Sequence, residues 1–188
     1  MSSAIDFGCR LMLVVVLTLA FVSKLHGRVA FQDFIQTLGR FGFPKPWVGA
    51  PLAAAVVLAE AASALLLLLA PLAGYVLALA LFTGFTLGIA RVLRRGERVR
   101  CRCFGASDTP MGASHLVRNG LLLAVTLVGA AGHEPGSPSS PVAVVAWGAG
   151  ALGVLSGLFI TRWDDLVFLL RGPEPMAGTP AAARKQRG

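Results

Sequence analysis

Long apolar runs dominate the chain and are separated by short polar segments. Five of these runs are long enough to cross a bilayer as helices, which takes roughly 20 apolar residues. A helix satisfies its backbone hydrogen bonds within one segment, so the runs predict an all-α membrane protein built as a transmembrane helical bundle. Their approximate limits are residues 7–25, 48–70, 72–93, 115–132 and 141–160.

The first apolar run lies where a secretory signal peptide would lie. The residues that close it, Val22-Ser23-Lys24-Leu25-His26, include no small-x-small cleavage site. We therefore expect this run to remain in the protein as its first span.

Residues 29–41 form a different kind of segment, in which apolar side chains recur at intervals of three and four residues. Polar and charged residues lie between them. This pattern predicts an amphipathic helix that is too polar to span a bilayer and lies at the membrane surface. The apolar positions are Phe31, Phe34, Ile35, Leu38 and Phe41.

Composition supports a membrane location and changes the interpretation of the charge. Hydrophobic residues make up 55% of the 188 residues and charged residues 14%, with a mean hydropathy of +0.72. A soluble fold of this size has too much surface to hide so many apolar side chains. The net charge of +8 comes from basic residues between the apolar runs, the usual orientation signal of membrane proteins. We therefore expect a lipid bilayer as partner and no nucleic acid.

Basic residues are concentrated in the loops after the first, third and fifth runs. The turn at Pro71 and the loop at 132–140 contain none. With five spans, every basic segment falls on one side, which puts the N-terminus outside and the C-terminus in the cytosol. We predict a transmembrane domain over residues 1–171 and a disordered basic cytosolic tail over 172–188.

Cys101 and Cys103 stand in an arginine-rich segment and give the strongest local sign of chemistry. A disulfide between positions i and i+2 closes a strained ring that is easily reduced, which suits a redox carrier. Neighbouring arginines favour the reactive thiolate form. The alternatives are two ordinary cysteines at a helix boundary, or a metal site with His115, for which no fourth ligand is evident.

Glu60 lies near the middle of the second run, where an ionised side chain costs roughly 2.5–3.5 kcal/mol by insertion scales. Such a residue is expected to face the bundle interior and to have a partner, for which Lys24 and Arg118 are candidates. The functional interpretation is a proton or quinone site. The alternatives are a structural ion pair and a protonated glutamate bonded to its neighbours.

His115, Arg118 and Asn119 share one face of the fourth run, directly after the cysteine segment. They could line the same pocket as the cysteines, where His115 could exchange a proton near neutral pH. The alternatives are a solvated histidine at the interface and an arginine that extends to the headgroups. The third cysteine, Cys9, is expected to be an inert buried thiol.

These residues occur in a recognisable order. Ser23 and Lys24 close the first span, Gly42-Phe43-Pro44 follows the amphipathic segment, and Glu60 lies within the second span. Cys-x-Cys-Phe-Gly at 101–105 is then followed by His-Leu-Val-Arg-Asn at 115–119. Over about residues 5–165 the chain resembles the methylamine utilisation protein MauE family, which is related to the DoxX-like membrane proteins.

The resemblance implies a bacterial inner-membrane protein with a four-helix DoxX-like core and a fifth span. The family is associated with maturation of the disulfide-rich small subunit of methylamine dehydrogenase and with a thioredoxin-like partner, MauD. Carried over, this makes Cys101 and Cys103 the redox pair, with Arg118 and Asn119 beside it. Disulfides of exported proteins form outside the cytosol, whereas the charge pattern places these cysteines on the cytosolic side. Either the pair relays reducing equivalents from the cytosol, or it lies deep in the bundle, or the predicted number of spans is wrong by one.

The leading hypothesis is therefore a membrane thiol–disulfide oxidoreductase that exchanges electrons with a thioredoxin-like partner through Cys101 and Cys103. A quinone is a candidate cofactor, with no binding residue assigned. One alternative is a non-enzymatic assembly factor or membrane anchor. Another is a small-molecule carrier that uses Glu60 as a proton site, although no inverted repeat supports a transporter.

Overall fold

The computed structural model describes residues 2–42, 46–96, 113–133, 143–163 and 166. Within these ranges the chain forms six helices and no strand, which confirms the predicted all-α fold. Helix limits agree with the apolar runs to within a few residues. The helices are α1 (Ser2–Leu25), α2 (Arg28–Phe41), α3 (Pro46–Leu69), α4 (Pro71–Arg94), α5 (Ala113–Ala131) and α6 (Ala143–Thr161).

Four of the helices form a closed up-and-down bundle. α1 packs between α3 and α5, and α4 completes the ring on the far side. α3 and α4 are joined by Ala70 alone, and Pro71 begins α4 at a position where its missing N–H breaks no helical bond. Gly74 lets the two helices meet, because a Cβ there would overlap the backbone of Leu67.

The same four helices are long and apolar enough to cross a membrane. The spanning segments are Ala4–Leu25, Gly49–Leu69, Pro71–Arg94 and Ala113–Ala131. Large apolar side chains such as Leu69 and Leu87 are exposed on the outer surface of the bundle, as lipid contact requires. In α6 the described apolar stretch, Trp147–Thr161, is shorter, so the fifth span stays a prediction.

α2 is amphipathic, as predicted, but its apolar face packs on α3 and α4 rather than serving only as a surface anchor. Phe34, Leu38 and Phe41 are buried in one cluster with Val57 and residues of α4. The sequence pattern could not separate the two cases, since lipid and protein select the same apolar face. Helix α2 is therefore part of the core at one end of the bundle.

α6 packs chiefly against α1, and the two helices run parallel. A Cβ at Gly153 would overlap the carbonyl oxygen of Gly8, and a Cβ at Gly157 would lie 3.1 Å from the carbonyl oxygen of Met12. Small residues at such contacts let helix backbones approach closely, which is how helices gain packing energy in lipid.

The two ends of the bundle differ in charge. We name the end where α1, α4 and α6 finish the basic end, and the end where they begin the Asp6 end. The predicted sidedness and the domain limit at residue 171 stay predictions, and the tail over 172–188 lies outside the described residues. Described basic residues at the basic end are Arg28, Arg40, Arg91, Arg94, Arg95 and Arg162.

Candidate functional site

Lys24 and Glu60 form a buried ion pair between α1 and α3, which we name the inner pair. The Lys24 Nζ lies 2.7 Å from Oε1 and 3.0 Å from Oε2 of Glu60, so it donates to both carboxylate oxygens. The side chains are 1% and 0% exposed. Of the two partners predicted for Glu60, Lys24 is thus confirmed.

Aromatic rings enclose the inner pair. The Lys24 ammonium lies 4.9 Å from the ring centre of Phe34 on α2 and 5.7 Å from that of Phe85 on α4. It also donates to the carbonyl oxygen of Ala20, one turn back along α1. Ring faces attract cations, so these side chains help to hold a charge while shielding it from lipid. Helix α2 is therefore needed to close the site as well as to anchor the chain.

The predicted polar face of α5 lies inside the protein. His115, Arg118 and Asn119 are 1%, 4% and 0% exposed, and Leu122 continues the same buried face into the core. The alternative of a solvated His115 at the interface is therefore wrong. The alternative of Arg118 extended to the headgroups is wrong for the same reason. The Nδ1 of His115 lies 3.3 Å from the hydroxyl of Ser114. The first two turns of α5 thus bring three polar side chains into the basic half of the bundle.

Asn119 carries hydrogen-bonding capacity that the described part of the protein does not use. Neither its Oδ1 nor its Nδ2 has a hydrogen-bond partner among the described residues. Leaving a buried polar group unsatisfied costs about 1–3 kcal/mol, so such groups are rare in folded proteins. An amide both donates and accepts, and its position therefore suits a water molecule or a small polar ligand.

A second polar centre lies at the Asp6 end, and we name it the Asp6 cluster. Asp6 accepts from the Arg10 guanidinium at 2.8 Å and from the Tyr75 hydroxyl at 2.7 Å. The Nδ1 of His133, just beyond α5, lies 3.3 Å from the same carboxylate. Gly129 provides space for the tyrosine, since a Cβ there would overlap its ring. Three helices are thereby tied to one carboxylate.

Sequence reasoning did not find the Asp6 cluster. Its members are separated by up to 127 positions, and no local spacing links them. The signal that was available is weak: an aspartate and an arginine four residues apart inside an apolar run, where both charges need partners.

The cysteines divide into two groups. Cys101 and Cys103 lie outside the described residues, so their redox state and contacts stay predictions. Cys9 is a free thiol and only half-buried, in a shallow groove of about 320 Å³ between α1, α5 and α6. Among the described residues no group of three His, Cys, Asp or Glu could hold a metal ion. A metal site with Cys101, Cys103 and His115 stays an open alternative.

Comparison with known proteins gives one result. The sequence model of methylamine utilisation protein MauE matches residues 2–132, which is more than half of the chain. Searches of the curated proteins and of the solved structures found no match. The chain belongs to the MauE family. It is a multi-pass membrane protein of a methylamine utilisation family, as its four apolar helices also indicate.

The MauE match contains both polar centres. Residues 2–132 include the whole of α1 to α5, the inner pair, the polar face of α5 and both paired cysteines. Of the Asp6 cluster, only His133 falls one residue beyond the match. Helix α6 lies outside it, so the glycine contact with α1 attaches an additional helix to the MauE region.

Proposed function

We propose that this MauE family protein is a membrane thiol–disulfide redox protein that assists disulfide formation in a partner. Cys101 and Cys103 form the redox pair. The proposed client is a protein such as the small subunit of methylamine dehydrogenase, with a thioredoxin-like protein of the MauD type as the proposed exchange partner. The proposal rests on the family match and on the cysteine pattern of the sequence.

The buried polar face of α5 is the structural observation that carries the proposal. Cys103 precedes Ala113, the first residue of α5, by ten positions, and Cys101 follows Gly96 by five. Five residues reach roughly 18 Å when fully extended, so we expect Cys101 on the side of the basic end. A histidine can exchange a thiol proton there, and an arginine favours the thiolate. His115 and Arg118 are the residues proposed for these roles, and Asn119 can hold a polar group beside them.

The proposed exchange proceeds through a mixed disulfide. A thiolate of the partner attacks one sulfur of the Cys101–Cys103 disulfide and releases the other as a thiol. The second thiol of the partner then attacks the partner's own sulfur in the mixed disulfide. This releases the cysteine that was bound to it and leaves a disulfide in the partner. The partner loses two electrons and two protons, and Cys101 and Cys103 gain them. An isoprenoid quinone is the proposed oxidant. It accepts the two electrons and the two protons when Cys101 and Cys103 return to the disulfide form.

Thiol trapping in intact cells tests the proposal. A membrane-impermeant maleimide of large mass is applied first and a permeant one second, with and without prior reduction. We expect Cys101 and Cys103 to react only after reduction, and the contrast between reagents reports their side of the membrane. Cys9→Ser is the matched control, because it removes the cysteine outside the pair and is expected to leave the pattern unchanged.

The Cys101→Ser, Cys103→Ser double variant separates this proposal from its alternatives. We expect it to abolish disulfide formation in the partner protein. Full maturation by the double variant, together with Cys101 and Cys103 thiols that are reactive at all times in the natural protein, would contradict the redox role. The protein would then be an assembly factor or anchor that needs no cysteines.

A further inference from the structure

An apolar groove runs along the surface of the bundle between α2, α3 and α4. Its volume is about 480 Å³, within the range of small-molecule sites. Phe41 of α2, Val56 of α3 and Leu81 of α4 contribute to its walls. Among the described residues that line it, Arg91 is the only charged one.

The groove has the length and direction of a lipid chain. Along α4 its lining residues run from Leu77 to Arg91, which at 1.5 Å per residue is roughly 21 Å. One leaflet of the hydrocarbon core is about 15 Å deep. Leu87 is 66% exposed and Gly84 is also exposed, so the groove opens towards lipid. It therefore starts at the basic end and follows one leaflet inwards.

Arg91 gives the groove a cationic end. It lies in the last turn of α4 and is exposed, and a Cβ at Gly42 would lie 3.5 Å from its Cζ. The guanidinium thus lies beside Gly42, whose φ of 120° is one that residues with a side chain rarely adopt. Within the described part of the chain no carboxylate pairs with Arg91. A cation at the end of an apolar groove is complementary to an anion with an apolar tail.

We propose that the groove binds one acyl chain of an anionic phospholipid whose phosphate pairs with Arg91. The bound chain contacts Phe85, whose ring also lies 5.7 Å from the Lys24 ammonium. The lipid would thus support the aromatic wall of the inner pair and hold α2 against α4. Basic positions between membrane helices attract acidic headgroups, at about 1 kcal/mol per arginine near the surface.

Lipid titration followed by native mass spectrometry of the full chain in detergent tests this proposal. Phosphatidylglycerol and phosphatidylcholine with identical acyl chains are compared. We expect phosphatidylglycerol to bind about fivefold more tightly, the ratio that one arginine supplies. Arg91→Gln should equalise the two lipids. Gly84→Leu should weaken both, because the leucine fills the groove at a position where a Cβ meets nothing within 4 Å.

Two matched variants serve as controls. Arg94→Gln removes a charge from the same turn of α4 at a position that does not line the groove, and Gly120→Leu adds the same side chain at an open position on α5. Both should bind like the natural protein. Equal binding of the two lipids to the natural protein, or an equal loss with Arg94→Gln, would overturn the proposal. Displacement of bound phosphatidylglycerol by an isoprenoid quinone would also overturn the proposal. If Gly84→Leu does not fold, the Arg91→Gln comparison decides alone.

Discussion

The inner pair and the Asp6 cluster both place charge inside an apolar bundle, but they do so differently. The inner pair joins one cation to one anion, and its side chains are 1% and 0% exposed. The Asp6 cluster surrounds one carboxylate with Arg10 of α1, Tyr75 of α4 and His133 just beyond α5, and its Arg10 and His133 side chains are 11% and 18% exposed. The inner pair is sealed from the surface, whereas the Asp6 cluster is partly open and several groups share its carboxylate.

This difference predicts how each centre responds to the loss of one group. Removing one member of a sealed pair takes a hydrogen-bonded counter-charge away from a charge that water does not reach. Removing one group from the Asp6 cluster leaves two others beside the same carboxylate. The largest effects on the free energy of unfolding should therefore come from the inner pair.

The largest effect is expected from Glu60→Gln, which removes the buried carboxylate that accepts two hydrogen bonds from Lys24. Breaking a buried pair in this way costs about 3–5 kcal/mol. Unfolding of the detergent-solubilised protein by heat and by SDS titration provides the measurement. The Lys24→Met, Glu60→Met double variant should regain most of the loss, because two apolar side chains leave no charge to be buried beside the rings of Phe34 and Phe85. A Glu60→Gln protein as stable as the natural one would contradict the expected difference in stability loss between the inner pair and the Asp6 cluster.

An intermediate effect is expected from Tyr75→Phe in the Asp6 cluster. The change removes a 2.7 Å hydrogen bond to a carboxylate and keeps the ring packed against Gly129. Hydrogen bonds to charged groups contribute about 1.5–3 kcal/mol, and the lower part of this range applies because Arg10 and His133 remain. The same unfolding assays measure it. A loss as large as that of Glu60→Gln would show that the cluster is not redundant.

The smallest effect is expected from His133→Asn. The histidine is the most exposed member of the cluster, and its contact with Asp6 is the longest, at 3.3 Å. A typical hydrogen bond contributes about 0.5–1.5 kcal/mol, and a loss at the lower end is expected for so long a contact. His26→Asn, at an exposed histidine, is the matched control. A change larger than that of Tyr75→Phe would invert the order within the cluster.

The sequence predicted the helices well because the bilayer imposes a simple requirement on length and apolar content. Pro71 marked the short turn, and the spacing of Phe34, Leu38 and Phe41 marked α2. The pattern could not predict what covers the apolar face of α2. An apolar face is the same whether lipid or another helix covers it, so burial against α4 required the tertiary structure.

The candidate site was predictable where burial of an ionisable side chain in the bilayer is energetically costly. Glu60 in mid-span demanded a partner, and Lys24 was one of two choices. The spacing of His115, Arg118 and Asn119 fixed their common face but not their burial. Tyr75 gave no signal at all, because a tyrosine near a helix end is ordinary in membrane proteins and its partner lies 69 positions away.

The contact between Gly8 and Gly153 has a consequence for biosynthesis. Helix α1 precedes α6 in the chain and carries the surface that receives it, so the glycine face of α1 stays uncovered until α6 has been synthesised. The helices that hold the inner pair and the Asp6–Tyr75 contact all precede α6 in the chain. The groups of the charged interior are therefore synthesised before the helix that covers the glycine face of α1.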